Sequence, residues 1–220
     1  MRAKRTLGTG AMVLAGLLLA GPVAEAGSSS APTDPNANAS IGSVDATVDG
    51  QPVTEPAIAP CRVTGRADNE TRGVEVGELA QYGSAQTSCT ANSNDTVSAQ
   101  TTGRRFTLDL LTEYGGPRIG IRTYSSSCST TGSGSNGQMN VSGVTGIDVP
   151  DQIKPNHTVL VPGRHRGDPP MAKVIVNESA TPDPPNGNLT VNVMRIELFP
   201  EGGPASGQVT VGSVSCLPFG

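Results

Sequence analysis

The stretch "NLTVNVMRIEL", residues 188–198, decides the fold class. Leu189, Val191 and Val193 alternate with Thr190 and Asn192. The phase then slips by one: Met194, Ile196 and Leu198 are apolar, and Arg195 and Glu197 lie between them. A period of two belongs to a β-strand, whose successive side chains point to opposite faces. A slip within the run predicts a bulge or a change of packing partner, because a one-residue shift exchanges the faces. Just upstream, "AKVIVNE" (172–178) reads as a neighbouring strand, and "SATPDPPNGN" (179–188) as the hairpin loop between them. Pro184 and Pro185 cannot donate to a ladder, and Asn186-Gly187 favours a tight turn.

Similar short runs recur along the chain. Strands are expected over 40–48, 85–91, 96–102, 105–111, 118–125, 138–144, 157–162 and 207–216, each bounded by Gly, Pro, Asn or Ser. The segment "EVGELAQY" (75–82) is compatible with one helical turn or with a strand. The 28 Gly and 18 Pro among 220 residues fit a chain rich in turns. Strands at this spacing predict an all-β domain, an antiparallel β-sandwich of Ig-like or jelly-roll-like type with long Gly/Ser/Pro loops. There is no Trp and only three Tyr and three Phe, so Val, Ile and Leu must build most of the core. "SC" flanked by hydroxyl residues occurs twice, at Thr87–Thr90 and at Ser126–Ser129, 39 residues apart.

The first residues set the expected destination. Arg2, Lys4 and Arg5 precede an apolar run from about Leu7 to Val23, and Ala24-Glu25-Ala26 has the small-x-small form of a cleavage site. That order is a secretory signal peptide over 1–26. Residues 27–39, "GSSSAPTDPNANA", hold no large apolar side chain and read as a flexible linker, leaving 40–220 as one all-β extracellular domain. Removing Arg2, Lys4, Arg5 and Glu25 takes the formal net charge from −4 to −6. An acidic chain lacks the clustered positive charge that nucleic acid requires. No later run reaches the roughly 18 apolar residues of a membrane span. Four cysteines in a secreted chain predict two disulfides, for which three connectivities exist.

Sites of chemistry are sparse. Gly132–Gly137 fits G-x-G-x-x-G, but a strand-like run follows where a dinucleotide site needs a helix. The two histidines, His157 in "PNHT" at the entry to an expected strand and His165 in the 163–172 loop, read as exposed, and neither G-x-S-x-G nor H-E-x-x-H occurs. Catalytic, cofactor-binding and metal residues are therefore expected to be none. The oxygens of 68–70 ("DNE") and 92–95 ("NSND") could ligate calcium, yet the spaced acids of an EF-hand loop are missing and Asn and Asp are ordinary turn residues. Arg166, Gly167 and Asp168 form an RGD tripeptide on an expected exposed loop. It is the candidate binding loop, weighed against a chance tripeptide in a turn. Sequons stand at Asn38, Asn69, Asn94, Asn140, Asn156, Asn177 and Asn188.

Read together, "RTYSSSCSTTGSGS", "IKPNHTVLVPG", "KVIVNE", "GNLTVNVMRIEL" and "GQVTVGSVSC" resemble, in that order, the choice-of-anchor P family of secreted actinobacterial proteins. The resemblance covers about residues 105–216 and loosens over 40–103. It implies an extracellular all-β domain of a family with no established enzyme activity. Two features depart from it: an extra loop over 163–172, and "CLPFG" at 216–220, where Leu217-Pro218 is not followed by the Thr-Gly and tail of a sortase signal. Release or non-covalent attachment is the corresponding expectation. Cys128 and Cys216 both fall in the resembling part and are expected to pair, leaving Cys61 with Cys89 in the looser half.

The expected function is that of a secreted, non-enzymatic, cell-surface-associated β domain, structural or interacting with a protein or cell-envelope component. A binding module or inhibitor acting through loops 163–172 or 180–188 is the alternative. A hydrolase would need a pocket of converging titratable groups.

Overall fold

The computed structural model describes residues 35–183 and 185–218, so the expected signal peptide at 1–26 lies outside the described residues. In chain order the strands are β1 (Asn36–Val48), β2 (Gln51–Glu55), β3 (Cys61–Arg62), β4 (Asp68–Thr71), β5 (Val74–Val76), β6 (Ala80–Tyr82) and β7 (Ala85–Ala91). There follow β8 (Val97–Leu108), a short helix α1 (Leu110–Glu113), β9 (Ile119–Thr131), β10 (Gly134–Ser142) and β11 (His157–Val161). The last are β12 (Ala172–Ala180), β13 (Leu189–Leu198) and β14 (Ala205–Leu217).

They form an antiparallel β-sandwich of two seven-stranded sheets. The first sheet runs β11-β12-β13-β14-β1-β2, with β3 beside β1. The second runs β10-β9-β8-β6-β5, with β7 also on β8 and β4 on β7. The stretch that opened the reading is thus central: β13 lies between β12 and β14.

Two expectations about segments need correction, and a third, left open between helix and strand, is decided for the strand. The expected linker over 27–39 is too long, because β1 already begins at Asn36. Ala37 pairs with Cys216 and Ala39 with Cys61, and both alanines are buried. Their small side chains suit a place beside the cysteines, so the lack of a large apolar residue is a packing requirement there. The strand expected over 105–111 stops at Leu108. The amides of Asp109 and Leu110 both donate to the Leu79 carbonyl, and α1 then buries Leu110 and Leu111 together, which an alternating strand cannot do. Residues 75–82 form the β5–β6 hairpin rather than a helical turn, with Val76 opposite Ala80.

The phase slip in β13 belongs to a row that crosses four neighbouring strands of the first sheet. Asn177 of β12, Val193 of β13, Gly212 of β14 and Ile41 of β1 stand opposite one another without forming ladder pairs, although the residues on either side do pair. Asn177 and Gly212 have φ of 57° and 62°. Two successive residues of a strand face the interior at this row. Val193 and Met194 are both buried, as are Ile41-Gly42 and Val211-Gly212. The second sheet slips in the opposite sense. In β8 the inward series Val97, Ala99, Thr101, Gly103 resumes at Phe106, so Arg104 and Arg105 both face outward. In β9, Ile119 and Ile121 are followed inward by Tyr124, leaving Arg122 and Thr123 outside.

Side chains of the second sheet serve carbonyls around the row. The Tyr82 hydroxyl donates to the Thr210 carbonyl at 2.9 Å, and Ser126 Oγ donates to Gly212 at 2.8 Å. Thr101 Oγ1 reaches the carbonyls of Ser40 and Ser213 at 3.3 and 3.4 Å. Buried Thr101, Ser126 and Tyr82 are therefore spent on holding the sheets together, as buried polar groups must find partners. On one side of the row the core is built from large residues such as Phe106, Ile119, Ile196 and Leu198. On the other it consists of Ala37, Ala39, Val97, Ala99, Val191, Val214 and the four cysteines.

Asn156 and Asn177 staple β11 to the slip row. Both are left-handed, at φ 58° and 57°. The Asn156 amide nitrogen donates to the Ser179 carbonyl at 3.1 Å, its oxygen accepts from the Ser179 amide at 2.9 Å, and its backbone amide donates to Asn177. Asn156→Ala removes both side-chain bonds and leaves a β-carbon in the left-handed region, for an expected loss of about 2–3 kcal/mol. Asn156→Gly keeps the backbone freedom and should cost less in the same urea titration. Equal losses would show that the backbone conformation contributes nothing.

Candidate functional site

Both disulfides cross between the sheets. Cys61 on β3 bonds Cys89 on β7, and Cys128 on β9 bonds Cys216 on β14. This is the pairing expected above. Cys89 and Cys128 flank Ala99 in a single row of the second sheet, so the two similar "SC" segments lie on either side of β8.

The RGD tripeptide closes a tight turn. Arg166, Gly167 and Asp168 are exposed, and Gly167 has φ of 97°. The Asp168 carboxylate accepts from the His165 backbone amide at 2.8 Å, and the Asp168 amide donates to the His165 carbonyl. The aspartate is thus partly engaged in shaping its own loop. Met171 then anchors the loop: it is buried and bonds Val161 through its amide and Phe199 through its carbonyl.

Other motifs resolve into local structure. Gly132–Gly137 spans the β9–β10 turn and the start of β10, where Thr131 Oγ1 donates to the Gly134 carbonyl. Residues 68–70 lie in β4, and Asn69 uses both amide atoms, accepting from Arg66 and donating to Pro60. Asn92 and Asn94 bond Thr96 across their turn. His157 is half-buried at the start of β11, and His165 is exposed. Glu178 is almost buried on the outer face of the first sheet, where it accepts from Asn192 and Arg195, each at 2.7 Å. Both Glu178 oxygens are engaged there, Asn192 Oδ1 is buried without a partner, and the cluster contains no nucleophile.

A groove escaped the sequence reading. It is open, about 760 Å³ in volume, and runs over the outer face of the second sheet at the slip row. Arg72, Arg105 and Arg122 line it together with Gln81 and Thr107, and Glu75 is its one carboxylate. Arg104 stands alongside. Arg105 falls opposite Arg122, since Arg104 pairs with Thr123 and Phe106 with Ile121. The ion pairs among the described residues join Arg118 to Asp109, Lys173 to Glu197 and Arg195 to Glu178, so none engages an arginine of the groove. The signal was in "TTGRRFTL" (101–108), where alternation slips between Gly103 and Phe106 across two adjacent arginines. Reading 96–102 and 105–111 as separate strands hid it.

Among the described residues no helix is long and apolar enough to cross a membrane, and no three His, Cys, Asp or Glu side chains gather as a metal site would require. No protein-family model matches this chain, and neither does any curated protein or solved structure.

Proposed function

We propose that the protein is a secreted, non-enzymatic extracellular domain that acts by contact with a protein or cell-envelope component. The observation that carries this reading is the pair of disulfides joining the two sheets across a core of Ala, Val and Cys. Such bonds persist in oxidising surroundings outside the cytoplasm. The leader-like residues 1–26 and the resemblance to choice-of-anchor P proteins support the same destination. The use of the interior hydroxyls supports the absence of catalysis: Tyr82, Thr101 and Ser126 bond backbone carbonyls of the facing sheet. A contact role then falls to the outer surface, and the Arg-lined groove is a better-formed contact surface than the RGD turn.

The test is labelling of the folded, purified protein with a fluorophosphonate serine probe, alongside fractionation of expressing cells. The expected result is no site-specific label, with the protein in culture fluid or in a salt- or detergent-extractable envelope fraction. Stoichiometric labelling of one serine refutes the non-enzymatic reading. Retention in the cytoplasm refutes the extracellular one.

A further inference from the structure

We infer that the groove of Arg72, Arg105 and Arg122 is a binding site for a multivalent oxyanion, a molecule carrying at least two phosphate or carboxylate groups. The inference rests on the reading of this protein as a contact domain and names the chemistry of what it contacts.

Two independent costs meet at Arg105. Its φ is 57°, in the left-handed region that an L side chain with a β-carbon avoids. At the corresponding row of the first sheet the chain uses Asn177 and Gly212, which tolerate that backbone best. Arginine has no such advantage. Its side chain also shares a groove with that of Arg122, which stands in the same unpaired row between the Arg104–Thr123 and Phe106–Ile121 pairs, and like charges on one face repel. Arg72 adds a third guanidinium on the same groove. All of this occurs on a chain of net charge −4, where acidic partners for these arginines are affordable in number yet only Glu75 lines the groove. A backbone outlier combined with uncompensated charge is the kind of local cost that is retained where a ligand relieves it.

The geometry favours oxyanions. The guanidinium fork presents paired N–H donors that match a carboxylate or phosphate edge. The second-sheet slip turns Arg104, Arg105, Arg122 and Thr123 outward together, whereas regular alternation would have sent one of each adjacent pair inward. Of these, Arg105 and Arg122 line the groove. Gln81 and Thr145 add neutral hydrogen-bonding groups around them. Three cations need several negative charges for neutralisation, so a multivalent ligand is selected over a single chloride or acetate.

The experiment is calorimetric titration of the full folded domain at low ionic strength with inorganic tripolyphosphate and, separately, with citrate. Binding of either anion is expected, weakening as salt is added. Tripolyphosphate binding more tightly assigns phosphate-bearing ligands, and citrate binding more tightly assigns carboxylate-bearing ones. Arg122→Gln and Arg105→Asn should each weaken the preferred anion by about tenfold or more. Arg166→Ala, in the RGD turn, should leave it unchanged. Arg105→Asn also has a second readout: its melting temperature without ligand should hold or rise by about 1–4 °C, because strain and repulsion are both relieved. Arg122 sits in ordinary backbone, so its variant decides the matter if the Arg105 variant folds poorly. No binding of either anion, or equal weakening by Arg166→Ala, overturns the inference. So does undiminished binding in Arg122→Gln. A null titration removes the groove's ligand while leaving the non-enzymatic reading standing, since that reading falls only to the serine-probe result.

Discussion

Replacing Cys128 and Cys216 together by Ala is expected to lower the melting temperature by on the order of 10–18 °C, more than the same change at Cys61 and Cys89. The two loops close 28 and 88 residues and follow one another along the chain without nesting, so their effects can be compared separately. In the chain-entropy account the shorter closure contributes about 3.6 kcal/mol and the longer about 4.6 kcal/mol. Position widens the gap. Cys216 lies on β14, which is hydrogen-bonded on both sides, to β13 and β1, at the centre of the first sheet. Cys61 lies on a two-residue strand that pairs with β1 alone in its sheet. Losing its bond frees a margin, whereas losing Cys128–Cys216 unties the second sheet from the middle of the first. Thermal unfolding of the two double variants, monitored by circular dichroism without reductant, settles the order. A larger loss in the Cys61/Cys89 variant would refute it.

Gly42→Ala is expected to be nearly as severe, costing about 3 kcal/mol, the upper end for overpacking. A β-carbon there would lie 2.2 Å from the Thr210 carbonyl oxygen and 2.5 Å from the Tyr82 ring. Neither neighbour has room to yield. Thr210 belongs to β14, where it pairs with Ser43 of β1, and its carbonyl accepts the Tyr82 hydroxyl. The Tyr82 ring is itself packed on Phe106, with centroids 5.1 Å apart. Burial pushes the Tyr82 phenol well above its ordinary pKa, so it stays a proton donor to that carbonyl. Gly132→Ala is the matched control: its β-carbon would meet nothing within 4 Å, and its urea midpoint should barely move. Comparable losses at the two positions would show that the contact at Gly42 is relieved by backbone movement.

These two predictions draw on different amounts of sequence information. The cysteines and the strands that carry them could be read directly, because alternation and turn residues act over two to four neighbours. The slip between Val193 and Met194 was legible for the same reason. Its meaning was not. A slip in one strand could end in a bulge, yet here Asn177, Val193, Gly212 and Ile41 share one row, drawn from segments up to 171 residues apart. The role of Gly42 follows only from knowing that Tyr82 of the other sheet faces it. The Arg groove was missed on similar grounds, since Arg72 in the β4–β5 turn, Arg105 on β8 and Arg122 on β9 are brought together by a sheet in which β6 lies between β5 and β8, around a slip that the strand assignment had split.

By itself the sequence determined the strand-forming stretches, their inward faces on either side of each slip, the hairpin turns and the presence of four cysteines able to pair. Those properties depend on local backbone preference and on the separation of apolar from polar side chains. Only the tertiary structure decided that Asn36–Ala39 joins the first strand, that Leu110 and Leu111 leave the strand for a helical turn, and that three arginines meet over one groove. Each of these depends on what a distant segment offers: a cysteine beside a small alanine, a Leu79 carbonyl open to two amides, a facing sheet whose hydroxyls satisfy the carbonyls of a slipped row. Such partners are set by burial and hydrogen-bond satisfaction across the sandwich, which no stretch of chain contains alone.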